Sequence, residues 1–95
     1  MNDDIRTTEQ ILSERGARYG TFKKHAEVSQ DLKDVVRHAC EARSKWLESD
    51  QKEAIEMICH KLARIINGDA DYADSWEDIA GYAKLVADRL NGVQR

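Results

Sequence analysis

The apolar residues of this chain recur with the period of an α-helix over most of its length. From Val28 to Val36, from Ile55 to Ile66 and from Trp76 to Leu90, apolar positions lie three or four residues apart. One face of a helix returns with that spacing, so each stretch predicts an amphipathic helix. The pattern predicts an all-α fold.

A shorter helix is predicted before these three. Thr7 followed by Gln10 has the spacing of a capping box, which favours a helix from residue 8 to about residue 14. Gly16 and Gly20 then bracket the segment RGARYG, which we do not expect to continue as regular helix. Residues 1–6 are expected to form a loose tail.

Capping signals also place the ends of the longer helices. Thr21 suits an N-cap, and Asp50-x-x-Glu53 and Asp74-x-x-Glu77 repeat the capping-box spacing. Short turns between the helices imply a small bundle of about four helices, with an antiparallel hairpin formed by the last two. The predicted spans are Thr21 to about Lys45, Asp50 to Asn67-Gly68, and Asp74 to Asn91-Gly92.

The predicted core consists of the apolar faces of these three helices. Placing residues at about 100° per step gives one stripe for each helix. The stripes are Val28, Leu32, Val35, Val36, Ala39 and Trp46; then Ile55, Ile58, Leu62, Ile65 and Ile66; then Trp76, Ile79, Ala83, Val86 and Leu90.

Length and charge narrow the classes of protein that fit. Ninety-five residues make a single domain over 1–95, and a chain this short buries a modest core, so we expect a homodimer or a higher homo-oligomer. With 41% hydrophobic and 35% charged residues and no proline, the chain resembles an ordinary folded helical protein. The net charge of −3 argues against general nucleic-acid binding.

The compartment follows from what the sequence lacks. The acidic start MNDDIRTTEQ does not resemble a signal peptide, and no apolar run approaches the roughly 18 residues of a membrane span. The two cysteines, Cys40 and Cys59, both fall inside predicted helices. We therefore expect reduced thiols and a cytoplasmic protein, with no membrane partner.

The last two helices carry a second, charged face opposite their apolar stripes. His60, Lys61 and Arg64 lie on one helix, and Asp78 and Tyr82 lie on the other. Met57, Gly81 and Leu85 share these faces, although a solvated face would not favour them. If both helices are covered on two sides, the charges between them are partly buried and need partners or ligands.

These charged residues also have purely structural interpretations. Asp74 can act as a helix cap together with Glu77, and Asp78 in the first turn complements the helix dipole. The basic and acidic groups can form salt bridges between the helices. His25, on the apolar side of its helix, can be a structural histidine or can bind an acid or a ligand.

The acidic side chains of the hairpin also suit a metal ion. Glu53 and Glu56 lie one turn apart, and Asp74 and Asp78 supply a second pair, so the four carboxylates could hold Mg²⁺. A metal-bound water attacking phosphorus would then be the reaction, with Glu53, Glu56 and Asp78 as catalytic residues.

A phosphate-bearing substrate could be bound by the basic and aromatic residues. Lys61 and Arg64 would neutralise phosphate oxygens, and Tyr82 could stack on a base or hydrogen-bond a sugar. The segment RYGTFKKH could close over the phosphates through Arg18 and Tyr19, at a helix N-terminus suited to an anion. His25 completes the candidate substrate-binding set.

The acidic pairs resemble a family motif. Glu53-Ala-Ile-Glu56 matches the E-x-x-E half of the MazG-like and dimeric dUTPase-like nucleoside triphosphate pyrophosphohydrolases, whose second half is E-x-x-D. In DSWEDIAGY, Asp78 takes the final position, but Ser75 stands where the first acid belongs. The resemblance implies magnesium and release of pyrophosphate from a nucleoside triphosphate.

A resemblance to small phage and prophage proteins covers nearly the whole chain. Its motifs are RYG-x-F-x-x-H at Arg18, K-x-x-R at Lys61 and DS-x-x-DIAGY at Asp74. It implies a nucleotide-directed role or interference with host defence, in the cytoplasm of the host cell. Two hypotheses follow: a magnesium-dependent pyrophosphohydrolase, or a non-catalytic helical oligomer that binds a nucleotide or a host protein.

Overall fold

The structure, a computed structural model, describes residues 6–95, so the predicted tail lies outside the described residues apart from Arg6. Four α-helices and no strand occupy the described part of the chain, which confirms the all-α fold and the small bundle. The helices are α1 (Thr8–Tyr19), α2 (Phe22–Ala42), α3 (Ser49–Asn67) and α4 (Ala73–Leu90).

Helix α3 is the centre of the fold. Helices α2 and α4 both pack on it but do not contact each other, while α1 contacts α2 and α3. Two side-chain contacts fix α4 against α3: Lys61 Nζ lies 2.8 Å from Asp78 Oδ2, and Arg89 Nη2 lies 2.6 Å from Asp50 Oδ1. Both contacts fit one antiparallel register, which confirms the predicted hairpin.

The core of a single chain is thin. No large side chain is fully buried, and the buried apolar residues of the described chain are Ala54, Cys59, Ala63 and Ile65. The radius of gyration is 16.1 Å, against about 12 Å for a compact domain of this length. Cys40 and Cys59 are both free thiols. No helix of the described chain combines the length and apolar character that crossing a membrane requires.

Two helix ends differ from the predictions. Helix α1 does not stop near residue 14 but continues through Gly16 to Tyr19. Gly16 is exposed and costs only about 1 kcal/mol of helix propensity, so the break comes instead at Gly20, whose φ is +77°. Helix α2 follows Thr21 as predicted and ends at Ala42, three residues before Lys45.

The predicted aspartate caps are wrong. Glu48 and Gln51 form the capping box of α3, because the carboxylate of Asp50 is bound by Arg89 from α4. Tyr72 precedes α4 as its N-cap, and Asp74 lies within the first turn, where its charge complements the helix dipole.

The predicted core stripes are only partly correct. On α3, four of the five predicted residues are buried or half-buried, but Ile66 is exposed. On α4, Ile79 and Val86 are half-buried, whereas Trp76, Ala83 and Leu90 are exposed. Helix α4 has two adjacent apolar stripes but packs on α3 alone, so one of its stripes faces away from α3. Val35 and Trp46 are also exposed.

Candidate functional site

Two arginines and two tyrosines stack at the end of the bundle that holds the C-terminal ends of α1 and α3 and the residue before α4. The Arg64 guanidinium carbon lies 4.3 Å from the Tyr19 ring centre, and that of Arg18 lies 4.4 Å from the Tyr72 ring centre. The two tyrosine rings are edge to face, with centres 6.2 Å apart. We call these four residues the arginine–tyrosine cluster.

Close packing between the ends of α1 and α3 positions this cluster. The side-chain amide of Asn67 donates to the carbonyl of Tyr19 at 2.8 Å and to that of Thr21 at 3.2 Å. Gly68 lies directly against the backbone of Arg18 and Tyr19, where a Cβ atom would approach within 2.1 Å. The missing side chain at Gly68 therefore lets the arginine–tyrosine cluster form.

The guanidinium groups of the cluster have unsatisfied N–H donors. Within residues 6–95, neither Arg18 nor Arg64 has a carboxylate oxygen within 4 Å. Arg18 donates to the Tyr72 hydroxyl, which donates in turn to Asp74 at 2.8 Å; this last hydrogen bond raises the pKa of Tyr72. An arginine stacked by its face keeps its N–H edge available for a planar or tetrahedral anion.

The start of α2 presents a second set of donors beside the cluster. Its N-cap, Thr21, makes no side-chain hydrogen bond to the helix, so the first backbone N–H groups are uncapped. Lys23 and Lys24 are exposed in the first turn, and Phe22 is 79% exposed. Uncapped N–H groups with adjacent lysines favour an anion.

Two histidines join α2 to α3 next to this region. His25 Nε2 lies 3.3 Å from His60 Nδ1, and the rings meet edge to face. Burial and the nearby Arg64 lower the pKa of His60 to about 4, and the same causes lower the pKa of His25. The pair is neutral at pH 7, and His25 Nδ1 has no hydrogen-bond partner in the described chain although the residue is only 5% exposed.

Lys61 and Asp78 form an inter-helix salt bridge instead of joining the cluster. Lys61 is only 9% exposed and its ammonium lies 2.8 Å from the Asp78 carboxylate, whereas the Asp78 side chain is 49% exposed, so this charged face is covered on α3 but open on α4. Tyr82 lies apart with Asp78 and Gly81 in an open depression on α4. Within residues 6–95, no atom outside its own helical backbone lies within 4 Å of a Cβ built at Gly81, so no close approach in the described chain explains that glycine.

The four carboxylates proposed for magnesium do not meet within one chain. In the antiparallel register, Glu53 is about 12 Å along the hairpin from the level of Asp78 and about 18 Å from that of Asp74. Ligands of one Mg²⁺ lie about 2.1 Å from the ion. Accordingly, residues 6–95 contain no group of three or more His, Cys, Asp or Glu side chains placed to hold a metal ion. A single chain does not fit the ion, and the magnesium set stays a prediction.

A separate groove of about 590 Å³ opens between the second half of α2 and the first half of α3. Glu56 contributes to its wall with Lys33, Arg37 and Lys52, and the exposed Trp46 lies at its edge. Glu53 is exposed and is not among the residues that form this wall. The groove therefore combines cationic and apolar groups with only one of the two glutamates.

A family model described as "Domain of unknown function (DUF6378)" matches residues 5–90, which include all four helices. The chain belongs to the DUF6378 family. No curated protein and no solved structure matches it.

In this DUF6378 chain, sequence reasoning found part of the candidate site. Arg18, Tyr19 and Arg64, three of the predicted substrate-binding residues, lie together, and His25 lies beside them through His60; their binding role stays a prediction. Tyr72, Asn67 and Phe22 also belong to the candidate site and were not predicted. Tyr72 and Asn67 flank the α3–α4 turn, where their role depends on the approach of α1, and no local pattern signals that approach.

Proposed function

We propose that this protein is a helical homo-oligomer that binds a nucleotide, with the phosphate held by Arg18, Arg64 and the N-terminus of α2. The observation that carries the proposal is the stacking of both arginines on tyrosine rings without a carboxylate partner in the described chain. Such groups are oriented, cationic and still able to donate hydrogen bonds to phosphate oxygens.

The position of Arg64 supports a shared site with α2. Arg64 lies on α3 between His60, which contacts His25, and Asn67, which contacts the carbonyl of Thr21. These two contacts put Arg64 at the level of the first turn of α2. A phosphate there would receive hydrogen bonds from the uncapped backbone N–H groups and from a guanidinium.

The neighbouring groups complete the proposed recognition. The base would stack on Phe22, whose ring is exposed next to the phosphate-binding N–H groups. The neutral histidine pair and the paired Lys61 add little net charge, so the two arginines with Lys23 and Lys24 supply the positive potential. Tyr82 lies in the open depression on α4, apart from the arginine–tyrosine cluster, and has no part in this proposal.

Self-association is proposed because one chain leaves its core open. The helices α2, α3 and α4 form a layer in which α2 and α4 do not meet, and large apolar side chains remain exposed. A domain normally buries its apolar faces between two layers, and a second copy of this chain would supply the second layer.

Nucleotide binding is tested by replacing Arg64. The native protein is titrated with ribo- and deoxyribonucleoside mono- and triphosphates, and binding is measured by calorimetry. Arg64→Gln is expected to weaken binding roughly tenfold or more, because one charge-assisted hydrogen bond contributes about 1.5–3 kcal/mol. Arg43→Gln is the matched control, because Arg43 is an exposed arginine at the end of α2 that belongs to neither the cluster nor the α2–α3 groove. Equal affinities for native, Arg64→Gln and Arg43→Gln proteins would reject the proposed site.

A pyrophosphohydrolase is the second candidate, favoured by the presence of Glu56 among the cations of the α2–α3 groove. The same nucleotides incubated with Mg²⁺ or Mn²⁺, with EDTA as control, distinguish the two functions by pyrophosphate release. Metal-dependent release that disappears in Glu56→Gln would make the protein an enzyme. Binding without release supports the non-catalytic role, and no binding at all directs attention to a host protein as partner, as the resemblance to phage proteins suggests.

A further inference from the structure

Helix α4 carries a continuous apolar stripe that no other part of the described chain covers. Its members follow each other at alternating steps of three and four residues, the spacing of a coiled-coil seam. All six are exposed, because α4 packs only on α3 and its stripe points elsewhere. The stripe consists of Ala73, Trp76, Ala80, Ala83, Ala87 and Leu90.

The two large residues of the stripe are unusual for a solvated surface. Trp76 is 52% exposed and Leu90 is 59% exposed. The indole N–H of Trp76 donates to the carbonyl of Ala70 at 2.8 Å, so the only polar atom of this side chain is already satisfied within the chain. The outward surface of the ring is therefore apolar, and its burial against a protein partner is more favourable than contact with water.

We propose that the α4 stripe packs antiparallel against the same stripe of a second copy, with Ala80 opposite Ala83 of the partner subunit. The two α3–α4 hairpins then form a four-helix bundle around a two-fold axis. This inference rests on the homo-oligomeric part of the proposed function and is independent of nucleotide binding.

The order of large and small residues along the stripe indicates that its partner is a second copy of this chain. In the proposed register, Trp76 lies opposite Ala87 of the partner subunit, and Leu90 lies opposite Ala73 of the partner subunit. Each large side chain meets a small one, and the alanines at the centre let the two helices approach closely. The stripe is thus complementary to itself when it is reversed, as a two-fold interface requires.

The charges beside the stripe favour the same register. Glu77 and Lys84 flank the seam on one side, and antiparallel pairing puts Glu77 opposite the partner's Lys84, twice by symmetry. Within the described chain Glu77 has no cation within 4 Å, and Lys84 contacts only Asp88 of its own helix, at 3.2 Å. A shift by one heptad would instead put Lys84 opposite the partner's Lys84, which is unfavourable.

The other flank of the seam is apolar. Ile79 lies opposite the partner's Val86 in this register. Within the single chain, Ile79 and Val86 are both half-buried, on a helix that packs on α3. This arrangement brings the two α3 helices toward the seam and encloses it. Leu85, in contrast, is an exposed apolar residue of α4 that lies away from the stripe, so it serves as a control.

The first experiment measures oligomeric state by sedimentation equilibrium. The native protein is expected to be dimeric. Ala83→Arg is expected to raise the dimer dissociation constant by roughly tenfold or more, because a charged side chain enters the seam. Leu85→Arg is expected to leave the dissociation constant unchanged. Ala83 is exposed in the single chain, so an arginine there disturbs no packing within the described chain, and circular dichroism at each concentration shows how much helix accompanies the dimer. A dimer insensitive to Ala83→Arg overturns the inference but leaves a homo-oligomer. A native protein that is monomeric at all concentrations overturns both.

The second experiment tests the register through charge reversal. Glu77→Lys and Lys84→Glu, each alone, put like charges opposite each other in the homodimer and should weaken it. An equimolar mixture of these two variants should form a heterodimer, because one chain then carries only lysines and the other only glutamates at the two positions. Two variants that dimerise as well alone as they do together would overturn the proposed register.

Discussion

At the scale of single residues, Gly68 is the position where the fold depends most directly on the absence of a side chain. Its Cβ would lie 2.1 Å from the Arg18 carbonyl oxygen and 2.3 Å from the Tyr19 Cα, both backbone atoms that cannot rotate away. Gly16 offers the opposite case, with no atom within 4 Å of a Cβ and a regular helical setting.

Alanine at these two positions should therefore change stability in opposite directions. We expect Gly68→Ala to lower the free energy of unfolding by about 2 kcal/mol or more, since α1 must move away from α3. Gly16→Ala should raise it by about 0.5–1 kcal/mol through helix propensity. Chemical denaturation of the three proteins at one concentration measures both changes. A neutral Gly68→Ala would mean that α1 does not pack closely against the end of α3.

At the scale of helices, the contact between His25 and His60 makes the α2–α3 interface sensitive to pH. Folding holds the pKa of His60 near 4, mainly by burial and by the Arg64 charge, and lowers that of His25; Lys33 acts in the same direction on both. The unfolded chain binds a proton at each histidine near pH 6.5, whereas the folded chain does not.

The sign of the pH effect follows from this difference. Between pH 6.5 and about 4 the unfolded state binds more protons, so the stability that is fully present above pH 6.5 should fall as the pH drops through this range. The slope contributed by each histidine is at most about 1.4 kcal/mol per pH unit. Denaturant unfolding at several pH values measures it.

Comparison of variants separates these histidines from other titrating groups. His60→Gln keeps a hydrogen-bonding side chain but cannot titrate, so its stability should depend less steeply on pH over the same range. His38→Gln, at an exposed histidine of α2, is the matched control. If the His60→Gln protein lost stability with acid as steeply as the native protein does, the histidine contact would not be the cause.

The elements also show what the sequence could and could not predict. Apolar periodicity predicted α2, α3 and α4, the capping-box spacing predicted α1, and Gly68 marked the end of α3 correctly. The predicted start of α3 at Asp50 was wrong: the Asp50 carboxylate binds Arg89, a contact between residues far apart in the chain. Trp76, Ala83 and Leu90, predicted as core, belong to the exposed outer stripe of α4, because periodicity finds apolar stripes without showing which of them has a neighbour.

For the candidate site, too, the sequence predicted residues of the right kind but could not predict how the helices pack. Arg18, Tyr19 and Arg64 were identified because cations and aromatics at a helix junction suit phosphates, and they do come together. The acidic set was built on the assumption that the two halves of the hairpin present their carboxylates at one level. The observed register separates Glu53 from Asp78, and only the packing of α4 on α3 determines that register.

At the scale of the whole molecule, the open layer of helices makes stability a property of the assembly. The chain measures 52 × 31 × 22 Å, and none of its large side chains in the described part is fully buried. A single copy therefore obtains little stabilisation from apolar burial. If the α4 seam supplies the missing burial, folding and association are coupled, and the melting temperature must depend on protein concentration.

We expect the melting temperature of the native protein to rise by about 5–10 °C for each hundredfold increase in concentration, given the usual enthalpy of unfolding for two chains of this size. Ala83→Arg should melt at a lower temperature than the native protein at every concentration, while Leu85→Arg should behave like the native protein. Scanning calorimetry over the range from micromolar to hundreds of micromolar measures this directly. A native melting temperature independent of concentration would mean that the thin core of one chain is sufficient, and that Trp76 and Leu90 are exposed for another reason.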